Sequence, residues 1–200
     1  MSILTVPEVV TAPTWFPVDV SYAKDQSNVR QNDDDELFHM LIKAAAEQVQ
    51  SDIPGGRQLA TATLEITLPA FPGGPIDLPR PPLQSVTYIK YYDQANVLQT
   101  LDPSSYYVIA RKNSPGCVYP AAGQLWPQTH IERLDAVQVR YVAGYATAGE
   151  IPDAATQAVL MLTDHWYCNR GAVLVGTISK ELELGYRSLV NSCGWGGGYV

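Results

Sequence analysis

The chain is short of cysteine, histidine, basic charge and long apolar runs, and each shortage removes a class of function. Its three cysteines, Cys117, Cys168 and Cys193, are odd in number and widely spaced, which fits neither a disulfide framework nor a paired zinc motif. They read as reduced thiols of a protein made in a cytosol. Thirteen Lys and Arg stand against twenty Asp and Glu, a net charge of -7, so the basic footprint of a tight duplex binder is missing. The acidic excess is uneven: residues 1–100 carry 6 basic and 12 acidic side chains, residues 101–200 carry 7 and 8. The longest apolar stretches, near 154–163 and 171–178, reach about half of the ~20 residues that a membrane span requires. The first residues lack a basic region and are interrupted by Pro7, Pro13 and Pro17. A soluble chain without a secretion signal or membrane partner is expected.

Catalytic signatures are missing too. There is no Gly-x-Ser-x-Gly elbow, and the pieces Gly55-Gly56, Gly73-Gly74 and 194–198 lack the lysine, the following helix and the spacing of nucleotide loops. The nearest approach to a metal site is Asp164, His165 and Cys168. No second ligand pair accompanies them, and a histidine beside Trp166 in an apolar helix reads as a hydrogen-bonded core residue. Cys117, after Pro115 and Gly116, reads as a small buried thiol. No enzymatic activity, cofactor or metal is expected. Twelve tyrosines against three phenylalanines suit surfaces that are wet when free and dry when bound, although strands favour tyrosine as well.

What is present divides by periodicity. Residues 1–18, with three prolines, read as an extended arm. Asp19 is placed to cap a helix from Val20 to about Asn28. The acidic run Asp33, Asp34, Asp35 and Glu36 opens a second helix, whose apolar positions Leu37, Phe38, Leu41, Ile42, Ala45, Val49 and Ile53 recur at three and four residues. From Ala62 to Leu68 the period is two, a half-buried strand. Strands are expected over 85–92, 97–101, 105–110, 116–119 and 136–143, making a β insertion over 60–145. Between Pro69 and Pro82 lie six of the fifteen prolines, which predicts a stiff projecting connection unable to supply a regular ladder. Helices return over 153–169 and 179–192. The first is apolar on more than one face, as a central helix or one touching a second subunit would be. Residues 193–200 form a glycine-rich tail whose Trp195 and Tyr199 either dock onto something or are incidental. Helices, then strands, then helices argue an α+β arrangement: about four helices with a strand-rich insertion between the second and third.

Four segments in this order resemble the head-tail connector (adaptor) proteins of long-tailed bacteriophages, in the longer subfamily with a β insertion. They are Val18-Asp19-Val20-Ser21-Tyr22-Ala23-Lys24 with the helix after it; Phe71-Pro72-Gly73-Gly74-Pro75-Ile76 with Leu78-Pro79-Arg80-Pro81-Pro82-Leu83-Gln84-Ser85-Val86; Val139-Arg140-Tyr141-Val142-Ala143-Gly144-Tyr145; and His165-Trp166-Tyr167-Cys168-Asn169-Arg170 leading to Val175-Gly176-Thr177. The likeness spans roughly residues 18–190. Cys168 stands where that family usually has an acidic residue, and Gln26, Ser27 and Asn28 stand where its helix is more regular.

The resemblance implies a single connector domain over 19–192 and a non-enzymatic virion protein of the neck, assembled in the bacterial cytoplasm. Such a protein forms a ring, typically of twelve copies, between the portal protein and a stopper or tail-terminator protein. Double-stranded DNA passes through the ring without tight binding. On this basis Trp195, Tyr199 and Val200 are the portal-docking candidates. Phe71, Pro72, Ile76 and Arg80 are the candidates for contact with a neighbouring ring protein, and Asp33, Asp34, Asp35 and Glu36 for the channel wall. The rivals are another neck or tail-completion position and a cytosolic ligand-binding module.

Overall fold

Two carboxylates set where the first helices begin. In the computed structural model, which describes residues 6–169 and 180–194, Asp19 accepts hydrogen bonds from the Ser21 backbone N–H at 2.8 Å and the Ser21 hydroxyl at 2.7 Å. These bonds hold the Asp19 carboxyl below its ordinary range and satisfy a free donor at the start of α1 (Val20–Gln26). The second helix, α2 (Asp35–Asp52), carries Asp35 and Glu36 in its first turn, where the helix dipole favours negative charge. Its buried side chains Phe38, Ile42, Ala45, Ala46 and Val49 follow the three-and-four spacing and form one stripe. That stripe packs on Ala155, Ala158, Val159 and Leu162 of α3 (Asp153–Cys168). Tyr186 and Val190 of α4 (Lys180–Ser192) complete the core. Because α3 packs against α1, α2 and α4, a central place in this unit accounts for its wide apolar cover. The helical unit comprises Thr14–Ala60 and the chain from Tyr145 onward.

The second compact unit takes the chain up to Pro13 and Thr61–Gly144. Its strands are β1 (Glu8–Thr11), β2 (Ala62–Leu68), β3 (Ile76–Leu78), β4 (Leu83–Tyr92), β5 (Leu98–Thr100), β6 (Tyr106–Ile109), β7 (Gly116–Pro120) and β8 (Val137–Ala143). Five of them form an antiparallel sheet in the order β1-β2-β8-β4-β5, and three form a second sheet in the order β3-β7-β6. The alternation seen in the sequence aims Ala62, Leu64 and Ile66 of β2 and Val137, Val139 and Tyr141 of β8 inward, with Ile76, Leu78, Ile89 and Val118. The Tyr141 hydroxyl reaches the Pro79 carbonyl at 2.9 Å, so even the largest buried side chain has its polar tip satisfied.

The fold is α+β, with four helices among the described residues and the strand-rich insertion between α2 and α3. Two segments differ from expectation. Residues 8–11 of the arm are the edge strand β1, which pairs with β2 through Glu8↔Glu65 and Val9↔Leu64. The proline-rich stretch does supply a ladder. Ile76, Asp77 and Leu78 sit between Pro75 and Pro79, keep their N–H groups, and pair with Val118, Cys117 and Gly116 of β7.

Gly116 shows how tightly that ladder packs. A Cβ there would lie 2.2 Å from Cδ2 and 2.7 Å from Cβ of Leu83, and the second atom cannot swing away. Gly116→Ala is expected to cost about 1–3 kcal/mol, the usual range for overpacking, seen as a lower urea midpoint at unchanged slope. A wild-type midpoint would show that Leu83 yields freely.

Candidate functional site

The side chains singled out in the sequence for metal binding or nucleophilic chemistry are held by near neighbours. Asp164 accepts a hydrogen bond from the Ser27 hydroxyl at 2.7 Å and a weaker one from the Cys168 thiol at 3.6 Å. His165 is half-buried and turns toward Asn169, 3.2 Å away. Among the described residues, no group of three His, Cys, Asp or Glu side chains is placed to hold a metal ion. Cys117 is buried, and desolvation together with its hydrogen bond to Asp77 pushes the thiol up to about 11. At pH 8 only about one Cys117 thiol in a thousand is then the nucleophilic thiolate. A maleimide at pH 8 should label exposed Cys168 first and reach buried Cys117 and Cys193 only with denaturant. Prompt labelling of three thiols would contradict this packing.

The acidic run divides into two pairs. Asp34 accepts a hydrogen bond from the Tyr167 hydroxyl at 2.7 Å, tying the start of α2 to α3. Asp35 forms an ion pair with Lys24 at 2.7 Å. The Lys24 ammonium is also held by Asn32 at 2.7 Å, in a residue only 8% exposed, so Asp35 compensates a largely buried charge. Asp33 and Glu36, in contrast, are exposed. The run therefore offers two charges to solvent and uses two to fasten helices.

The proline-rich connection is anchored by aromatic contacts. Phe71 stacks on Trp126 with ring centroids 5.0 Å apart and meets Tyr91 edge-on at 5.6 Å. The Trp126 indole N–H donates to the Gly74 carbonyl at 2.9 Å. Phe71 and Pro72 line an open groove of about 450 Å³ with Leu125, Trp126, Pro127 and Ile131. Arg80 is half-buried, its backbone at a φ of 60°. Ile76 is 2% exposed and faces the core of its own unit, because β3 alternates and its outer position falls to Asp77. Its side chain is spent on folding, which leaves Phe71, Pro72 and Arg80 as the accessible members of that set.

The segment over 121–135 carries the largest exposed aliphatic side chains of the strand unit and went unnoticed in the sequence. Leu125, Ile131 and Leu134 are 92%, 96% and 86% exposed. A non-periodic stretch that mixes such residues with Pro127 between two strands is the signal that marks it. Trp195, Tyr199 and Val200 lie outside the described residues.

Comparison with known proteins gives one family match, to a family described as head completion protein, over residues 18–173. No curated protein matches the sequence. Among solved structures, a chain in the virion of the native gene transfer agent (GTA) particle superposes with a TM-score of 0.76 at 19% identity, covering 96% of this chain and 97% of that one. A chain in the neck of the native GTA particle, computed with C12 symmetry, gives 0.74 at 18% identity, with coverage of 96% and 97%. Another, in the neck of the empty particle computed with C6 symmetry, gives 0.73 at 19% identity and the same coverage. At these identities the likeness is one of fold, and it extends over both compact units.

Proposed function

This chain belongs to the head completion protein family, and from that premise we propose that it is a structural virion protein that assembles as a twelve-membered ring in the neck, between portal and tail. The family match over residues 18–173 carries the proposal. The full-length likeness to chains of C6 and C12 neck assemblies supports the ring. The ring stacks on the portal protein, offers a platform to a stopper or tail-terminator protein, and surrounds the DNA channel. Trp195, Tyr199 and Val200 dock on the portal, and Phe71, Pro72 and Arg80 meet a neighbouring ring protein. Asp33 and Glu36, with the excess acid of the first hundred residues, face the channel. Repulsion there prevents the counterion-releasing contacts by which proteins hold DNA, so the duplex slides.

The test is native mass measurement and electron microscopy of the purified chain, alone and with portal-bearing heads. The expected result is a ring, free or on the portal vertex. A globular monomer or dimer that leaves the heads bare overturns the proposal. A neck map that places Asp33 and Glu36 on the outer surface refutes the acidic channel alone.

A further inference from the structure

We propose that the ring is closed by the five-stranded sheet, the β1 edge of one copy pairing with the β5 edge of the next. The inference rests on the ring reading above and adds to it the surface that joins the copies. Among the described residues, the outer strands of the order β1-β2-β8-β4-β5 each have one partner, so each presents a row of backbone N–H and C=O groups. Only another extended strand satisfies such a row at once.

Proteins usually blunt free edges with lysine, proline or a bulged glycine. Glu8-Val9-Val10-Thr11, which follows Pro7, and the three-residue Leu98-Gln99-Thr100 hold no lysine, proline or glycine, although the register of β1 on β2 shifts between Val9 and Thr11. They instead expose Val9 at 44%, Val10 at 41% and Leu98 at 45%, with Val97 at 52% beside them. The three-stranded sheet differs, because its β3 edge is enclosed on both sides, by Pro75 and Pro79. It therefore lacks a matched pair of open edges.

The occupant is a second copy of this chain, joined through unlike edges. A ring requires a heterologous contact, in which one surface of a subunit meets a different surface of the next. Two open edges at opposite ends of one sheet are such a pair, whereas like edges joined together close a two-fold dimer and stop. Charge favours the unlike pairing as well. Two β1 strands would bring two Glu8 carboxylates onto one four-residue ladder, and β5 carries no charge.

Disulfide trapping tests this in the full chain. Cys168→Ser removes the exposed thiol, since Cys117 and Cys193 are buried. Val9→Cys or Val10→Cys is then combined with Leu98→Cys or Thr100→Cys, four pairs that sample the register. On oxidation at least one pair should give a covalent ladder ending in closed rings, while single cysteine variants stay monomeric on a denaturing gel. Dimers from a single variant show like edges meeting and overturn the proposal. Rings in the microscope with no ladder from any pair also overturn it, yet leave the ring reading standing. Neither rings nor ladder overturns both. Independently, Val9→Lys with Leu98→Lys should lower the ring fraction at least tenfold at unchanged circular dichroism, and an unchanged ring fraction speaks against edge pairing.

Discussion

Phe38→Ala should destabilise the helical unit by about 3–5 kcal/mol, the range for emptying a buried aromatic site. Phe38 is fully buried near the start of α2 and stacks on Tyr167 of α3, ring centroids 4.4 Å apart at an interplanar angle of 25°. The substitution removes the transfer energy of the ring, leaves a cavity that the neighbouring alanines cannot fill, and deletes a stacking contact worth about 0.5–1.5 kcal/mol beyond burial. It also frees the ring of Tyr167, whose hydroxyl holds Asp34, so the N-terminal turn of α2 loosens with it. Against a typical total of about 5–15 kcal/mol, the loss leaves a marginal unit. Urea unfolding followed by circular dichroism gives the measurement. Phe38→Leu, which retains most of the volume, should lose distinctly less. A Phe38→Ala cost below about 1 kcal/mol would mean that α2 and α3 do not pack through this ring.

Deleting residues 194–200 should abolish attachment to portal-bearing heads while the spectrum and unfolding midpoint stay near wild type. The segment removes Trp195 and Tyr199, residue types that dominate interface energetics because each buries a large rigid surface at low entropic cost. Two anchors of about 2 kcal/mol each correspond to roughly a thousandfold in affinity per copy. A ring multiplies that deficit across its copies, so head binding falls from saturation to background. Trp195→Ala alone should show an intermediate loss. Normal attachment by the truncated chain would refute the portal-docking role of Trp195, Tyr199 and Val200 and leave the family assignment untouched.

The elements that were legible in the sequence are those whose burial follows one period over many residues. The stripe of α2 and the alternation of β2 each repeat often enough to outvote any single residue, and Asp19 announces a helix start by its chemistry alone. Short elements escaped where local and tertiary preferences compete. Proline density argued against β3, yet the three residues that pair are the ones between prolines. The partners of the acidic run were illegible for another reason. Tyr167 is far from Asp34 in sequence, and nothing in the order of residues says that α3 returns to that end of α2. The aromatic anchoring of Phe71 by Trp126 is similarly long-range, so a projecting loop in sequence is a pinned groove wall in the structure.

The insertion has a consequence for synthesis. Helix α2 ends at Asp52, and α3, which covers its apolar stripe, begins at Asp153. About a hundred residues must leave the ribosome in between, which at about 5–20 residues per second takes roughly 5–20 s. During that interval Phe38, Ile42 and Val49 have no α3 to pack on, while the strands from β2 to β8 emerge and can pair among themselves. The strand unit thus has the opportunity to mature first, although all of it but the chain up to Pro13 lies in sequence between the two segments of the helical one. A nascent chain stalled before Asp153 should be the species most dependent on chaperones and most easily cut by protease within α2.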